Sequence, residues 1–124
     1  MGANFLLVDD TKFMQTLTEK ILQKMGHNVL HKASNGIEAI EFYEKNWQTI
    51  DVILLDVVMP KTDGLQALRK LRQINPEVKI IMVTSISSQS IVIGAMKAGA
   101  TEFISKPFRL SEFAQAVNKV LTGK

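Results

Sequence analysis

The stretch LLDVVMPKTDG, residues 54–64, sets the reading of the whole chain. An apolar run ends on a lone carboxylate, Asp56. Two valines, Met59-Pro60 and a polar turn closed by Gly64 come after it. The run Val52–Leu55 shows no alternation of apolar and polar residues, which marks a parallel strand covered on both faces. An acid just after such a strand stands where open α/β sheets gather their chemistry.

Outward from this stretch, Phe5–Val8, Lys79–Val83 and Glu102–Ser105 have the same aliphatic character, and Asn28–Ala33 reads as a weaker fifth strand. Helical patterns lie between them. Phe13, Leu17, Ile21 and Met25 recur every four residues before Gly26, a natural helix stop. Ile37, Ile40 and Tyr43 mark a second helix after Ser34-Asn35-Gly36. Leu65, Leu68 and Leu71 mark a third, with Asp63 placed to cap it. Segments 90–99 and 111–121 supply two more, the last carrying Phe113, Val117, Val120 and Leu121 on one face. This alternation predicts an α/β fold: one domain over residues 1–124, doubly wound (βα)5, with an open five-stranded parallel sheet and helices on both faces.

With 46% hydrophobic and 22% charged residues the composition is that of a soluble globular protein. The absence of cysteine excludes disulfides, thiolate nucleophiles and zinc–thiolate sites. No aliphatic run is long enough to span a bilayer, no signal peptide is recognisable, and Leu6 spoils a Met1-Gly2 myristoylation signal. The expected location is cytoplasmic, with no membrane association. Net charge is +3, but the basic residues are scattered among acids, so a solvated surface is expected and no direct nucleic-acid partner.

The residues just beyond the strands are more telling. Asp9 and Asp10 come after the first, Asp56 after the third, Thr84 after the fourth and Lys106-Pro107 after the fifth. Singly, each has a plain structural use: Asp10 or Thr11 as a helix cap, Asp56 as a turn residue, Thr84 as a strand former, Lys106 as a solvated cation. Together, three converging carboxylates repel one another unless a cation neutralises them, and a hard divalent ion with oxygen ligands meets that need.

VDD at 8–10, LLDVVMPKTDG at 54–64, VTS at 83–85 and ISKPF at 104–108 together resemble the response-regulator receiver family, from about residue 4 to 121. The nearest subtype is the stand-alone, chemotaxis CheY type. The resemblance implies a flavodoxin/CheY-like strand order of 2-1-3-4-5. It implies that Asp56 accepts a phosphoryl group from a phosphohistidine, and that Asp10 and Asp56 ligate Mg²⁺ (Mn²⁺ being an alternative). The backbone carbonyl of Val58 would be a further ligand, and Asp9 would act through water. It further implies that Lys106 pairs with a phosphoryl oxygen, that Thr84 bonds another, that Phe103 is the aromatic switch residue, and that Lys106-Pro107 is a cis peptide. Partners would be a sensor histidine kinase or phosphotransfer protein and a downstream target such as a flagellar motor switch protein, with a monomer before phosphorylation. Such a protein is a signalling switch that catalyses only its own phosphorylation and dephosphorylation.

Two positions flanking the phosphoryl group in that family, Val58 and Ile86, cannot hydrogen-bond an attacking water here, so the aspartyl phosphate is expected to be long-lived. The fourth helix is apolar over more than one face, and Ile91 and Met96 are candidates for an output surface. His27 and His31 lie away from strand C-termini and read as structural. Within the signalling reading, a phosphorelay intermediate or a regulator of another enzyme is the alternative to chemotaxis. Two other classes remain. An aspartyl-nucleophile phosphatase would carry a second acid where Val58 stands, and a flavin module would place a phosphate-cradling loop where Asp9-Asp10 stand.

Overall fold

The computed structural model describes residues 2–57, 63–85 and 89–123. Five strands, β1 (Asn4–Val8), β2 (Asn28–Ala33), β3 (Val52–Leu55), β4 (Lys79–Thr84) and β5 (Glu102–Ser105), form one parallel sheet in the order 2-1-3-4-5. Between and after them run α1 (Lys12–Lys24), α2 (Gly36–Asn46), α3 (Gly64–Ile74), α4 (Gln89–Lys97) and α5 (Leu110–Thr122). A 3₁₀ turn at Trp47–Thr49, unmarked by any sequence pattern, leads into β3.

Alternate residues of the central strands feed two separate cores. Leu6, Val8, Ile53, Leu55, Ile80 and Met82 pack with Tyr43 of α2, Leu68 and Leu71 of α3 and Ala95 of α4. Phe5, Leu7, Val52, Leu54, Ile81 and Val83 pack on the other face with Leu22 of α1 and Phe113, Val117 and Val120 of α5. Since both faces are dry, both parities must be apolar, and the strand loses its period-two signal.

Local signals set the helix starts. The Thr11 hydroxyl caps α1, accepting the Met14 N–H at 3.3 Å, so Thr11 and not Asp10 does the capping. Asn35 caps α2 through Glu38 N–H at 2.9 Å, while the Glu38 carboxylate accepts the Ser34 N–H at 2.8 Å. Asp63 accepts the Leu65 N–H at 2.9 Å at the start of α3. Gly26, at φ 90°, turns the chain out of α1 in a conformation that side chains resist.

The four-residue row on α1 is not its buried face. Phe13 is 76% exposed and Leu17 38%, whereas Gln15 and Leu22 are buried. A four-residue repeat overshoots a helical turn by about 40° per step, so the row winds from solvent at Phe13 to partial burial at Met25. On α4, Ala95 is buried and Ile91 half-buried against the core, while Ile93 and Met96 stay exposed. Of the two candidate output residues, only Met96 is therefore exposed, at 44%.

Candidate functional site

The sheet register builds the site. Val8 of β1 lies opposite Leu55 of β3, so Asp9 and Asp56 leave adjacent strands at the same level. The Asp56 N–H donates to the Val8 carbonyl at 3.1 Å and extends the ladder by one bond past the strand. Thr84 lies opposite Ser105, and the Lys106 N–H donates to the Thr84 carbonyl at 2.8 Å, which aligns the β5 end with the β4 end. Thr84 is the last residue of β4 and fully buried.

Asp56 is held from below by α3. Gly64 sits so close under the strand end that a Cβ there would lie 2.5 Å from Val57 Cα and 2.6 Å from the Asp56 carbonyl oxygen. Only a residue without a side chain lets the helix start there, and Gly64 N–H donates to the Val57 carbonyl at 3.0 Å. Val57 and the start of α3 are thus held together, and Asp56 itself is only 8% exposed.

The acids and the lysine meet. Oxygen atoms of Asp9, Asp10 and Asp56 lie within 4.8 Å of one another. The Lys106 ammonium stands 2.9 Å from Asp9 Oδ2 and 3.5 Å from Asp56 Oδ2. Burial would depress its pKa, but the hydrogen bond to Asp9 and the charges of Asp56 and Asp9 outweigh burial and raise it above the ordinary lysine value. Asp9 also accepts the Thr11 N–H at 3.0 Å and the Thr11 hydroxyl at 3.2 Å through Oδ1. Both oxygens of Asp9 are therefore engaged by the protein. Asp10 is exposed and forms no hydrogen bond or ion pair with any described residue.

One ammonium against three carboxylates leaves a negative excess when the acids are ionised. The donors are all hard oxygens, which suit Mg²⁺ and do not suit softer metals. These residues fit a divalent cation. Val58 and Ile86 lie outside the described residues.

Phe103 on β5 is half-buried against the core shared with α2, α3 and α4. The Lys106–Pro107 peptide is cis. His27 accepts the Ala3 N–H through Nδ1 at 3.0 Å and His31 stacks on Phe42 at 4.2 Å, both remote from the acids. Gln15 is a contributor that sequence reasoning missed. It is 7% exposed, and its Nε2 donates to the carbonyls of Asp9 at 2.7 Å and Ala33 at 3.2 Å. A lone glutamine on a helix reads as a surface residue, and no spacing signals otherwise.

The family described as response regulator receiver domain matches residues 5–118. The chain belongs to that family. Among the relatives of this receiver, Chemotaxis protein CheY of Bacillus subtilis is 40% identical over 121 residues, covering 98% of this chain and 99% of its own. Chemotaxis protein CheY of Thermotoga maritima is also 40% identical, over 97% of this chain and 98% of its own. A solved complex of CheX, CheY, BeF3 and Mg²⁺ from Borrelia burgdorferi contains a chain that superposes with a TM-score of 0.93 at 30% identity. It covers 96% of this chain and 89% of that one. The receiver is thus of CheY type. Among its described residues, no helix is long and apolar enough to cross a membrane.

Proposed function

We propose that this receiver is a response regulator that takes a phosphoryl group onto Asp56 and changes partner binding in consequence. The observation that carries the reading is a nearly buried carboxylate at a strand end, with two further acids and one ammonium converging on it. In the step, a carboxylate oxygen of Asp56 forms a bond to phosphorus while the bond from phosphorus to a donor histidine nitrogen breaks. The donor is a sensor histidine kinase or a phosphotransfer protein.

Asp10 and Asp56 would hold Mg²⁺, with Asp9 acting through water, and the bound ion supplies neutralisation of phosphoryl charge. Lys106 already faces Asp56 and would turn its ammonium to a phosphoryl oxygen. The Thr84 hydroxyl would bond another. Phosphorylation adds about −1.5 to −2 charge at this edge, enough to draw Thr84 inward and give Phe103 room to repack. The protein turns over no external phosphate ester. With Val58 and Ile86 unable to orient water, the phosphoryl group persists until a partner removes it.

Chemotaxis signalling is the favoured pathway, with a flagellar motor switch protein as target. Its support is the CheY names of the Bacillus and Thermotoga relatives and the CheX–CheY assembly from Borrelia. The test is incubation with acetyl phosphate, with and without Mg²⁺, read by intact mass. Wild type should gain one phosphoryl group only with Mg²⁺ present, and Asp56→Asn should gain none. Equal labelling of the variant would overturn the assignment.

A further inference from the structure

Asp10 is the one acid of the cluster that no described side chain or backbone group holds, yet its carboxylate must point at Asp56 for the three acids to act on one ion. Its direction is therefore set by its own backbone. Two peptide planes flank its Cα. The plane on the C-terminal side contains the Thr11 N–H, which donates to Asp9 Oδ1 at 3.0 Å. The plane on the N-terminal side contains the Asp9 carbonyl, which accepts Gln15 Nε2 at 2.7 Å. Because peptide planes are rigid, pinning one group in each fixes the torsions at Asp10 and so the exit direction of its Cβ.

We propose that Gln15 is a positioning residue for the Asp10 carboxylate. Its amide bridges the Asp9 carbonyl and the Ala33 carbonyl at the end of β2, and Ala33 also accepts the Asp9 N–H at 3.0 Å. The loop carrying both acids is thereby tied to the sheet edge by a group on α1 that is nine-tenths buried. Both acceptors are carbonyls, so only a donor works at this point. A glutamate of the same shape would present oxygen to oxygen. The inference rests on the metal reading above and extends it to a residue that touches no ion.

The test is calorimetric titration of the full chain with MgCl₂, with thermal unfolding recorded in parallel. Gln15→Met and Gln15→Glu, which lack the donor, should weaken Mg²⁺ binding by about tenfold, as loss of an outer-sphere support does in metal sites. Gln15→Arg, which restores a donor, should recover most of the affinity. Leu22→Val, a buried change on the same helix away from the loop, should lower the melting temperature and leave Mg²⁺ affinity within about twofold, as independent sites do. If the donor-less variants bind as wild type does, or if Leu22→Val weakens binding as much as they do, Gln15 has no positioning role. A wild type that takes up no Mg²⁺ would overturn the metal reading itself, and the inference with it.

Discussion

The two edges of the sheet use their half-buried cations in opposite ways. At the edge where the strands begin, Arg72 of α3 donates to the backbone carbonyls of Gly99, Pro76 and Val78 and to the Thr101 hydroxyl. All these partners are neutral and belong to the turns leading into β4 and β5. At the edge where the strands end, Lys106 faces the carboxylates of Asp9 and Asp56. A cation shared among carbonyls satisfies its hydrogen bonds locally and leaves no net attraction for a ligand. A cation outnumbered by acids leaves charge uncompensated. The first edge is a clasp, and the second is an acidic cluster suited to a divalent cation.

The sharpest way to break this contrast is Arg72→Met. It strands the part-buried carbonyls of Gly99 and Val78 together and should cost about 3 kcal/mol in urea unfolding, with Mg²⁺ affinity unchanged. Lys106→Met removes part-buried hydrogen bonds to charged groups and should cost less, about 2 kcal/mol without divalent ion, and saturating Mg²⁺ should recover part of that loss. The same Mg²⁺ should stabilise Arg72→Met only as much as it stabilises wild type, leaving that loss in full. If Mg²⁺ rescues both or neither, the two edges are not functionally distinct.

Alkaline titration sharpens the same point. Burial works to lower the Lys106 pKa, but Asp9 and Asp56 together raise it above its ordinary 10.5, and the Tyr43 pKa is raised above 10.0 by burial. In both cases the folded state keeps a proton that the unfolded chain releases. Stability is complete below about pH 10 and falls as pH rises through the raised values. The urea midpoint should drop in that range, and less steeply in Lys106→Met.

A smaller effect separates two glycines at positive φ. Gly99 has Arg72 Nε 2.8 Å from where a Cβ would sit, whereas Gly26 has nothing within 4 Å. Both alanine variants force a side chain into a left-handed backbone, at about 1 kcal/mol. Gly99→Ala should exceed Gly26→Ala in urea unfolding because it also pushes on the clasp. The smallest effect belongs to His27, whose pKa burial lowers from 6.5. Its neutral form is the folded one, so stability is complete above pH 6.5 and declines as pH falls below it. His27→Asn should flatten that decline.

Legibility in the sequence tracked burial. β1, β3 and β4 are covered on both faces, and their continuous apolar runs located them to within a residue. β2 is an edge strand exposed over most of its length, so His31 and Lys32 were free to be polar and its signal was weak. The acids and Lys106 were readable because each stands just past a strand, and strand ends converge whatever the loops do. The supports were not readable. Gln15 acts on backbone carbonyls, and any residue supplies those. Arg72 is similarly anonymous, since its acceptors lie in turns 4 to 29 residues away. The row on α1 marks a helix, as the structure has it, but the burial direction belongs to the sheet and is not written in a single repeat.

The one-to-one pairing of Val8 with Leu55 has a further meaning. Asp9 and Asp56 are separated by the spacing of neighbouring strands, about 4.8 Å, and that length is a property of the peptide hydrogen bond. It acts as a caliper that no side chain sets. Lengthening the turns at the opposite edge, such as residues 75–78, leaves the jaws where they are. Slipping β1 by a single residue against β3 removes Asp9 from its place and exchanges the residues that face the two cores, so the gauge of the site and the integrity of the fold fail together.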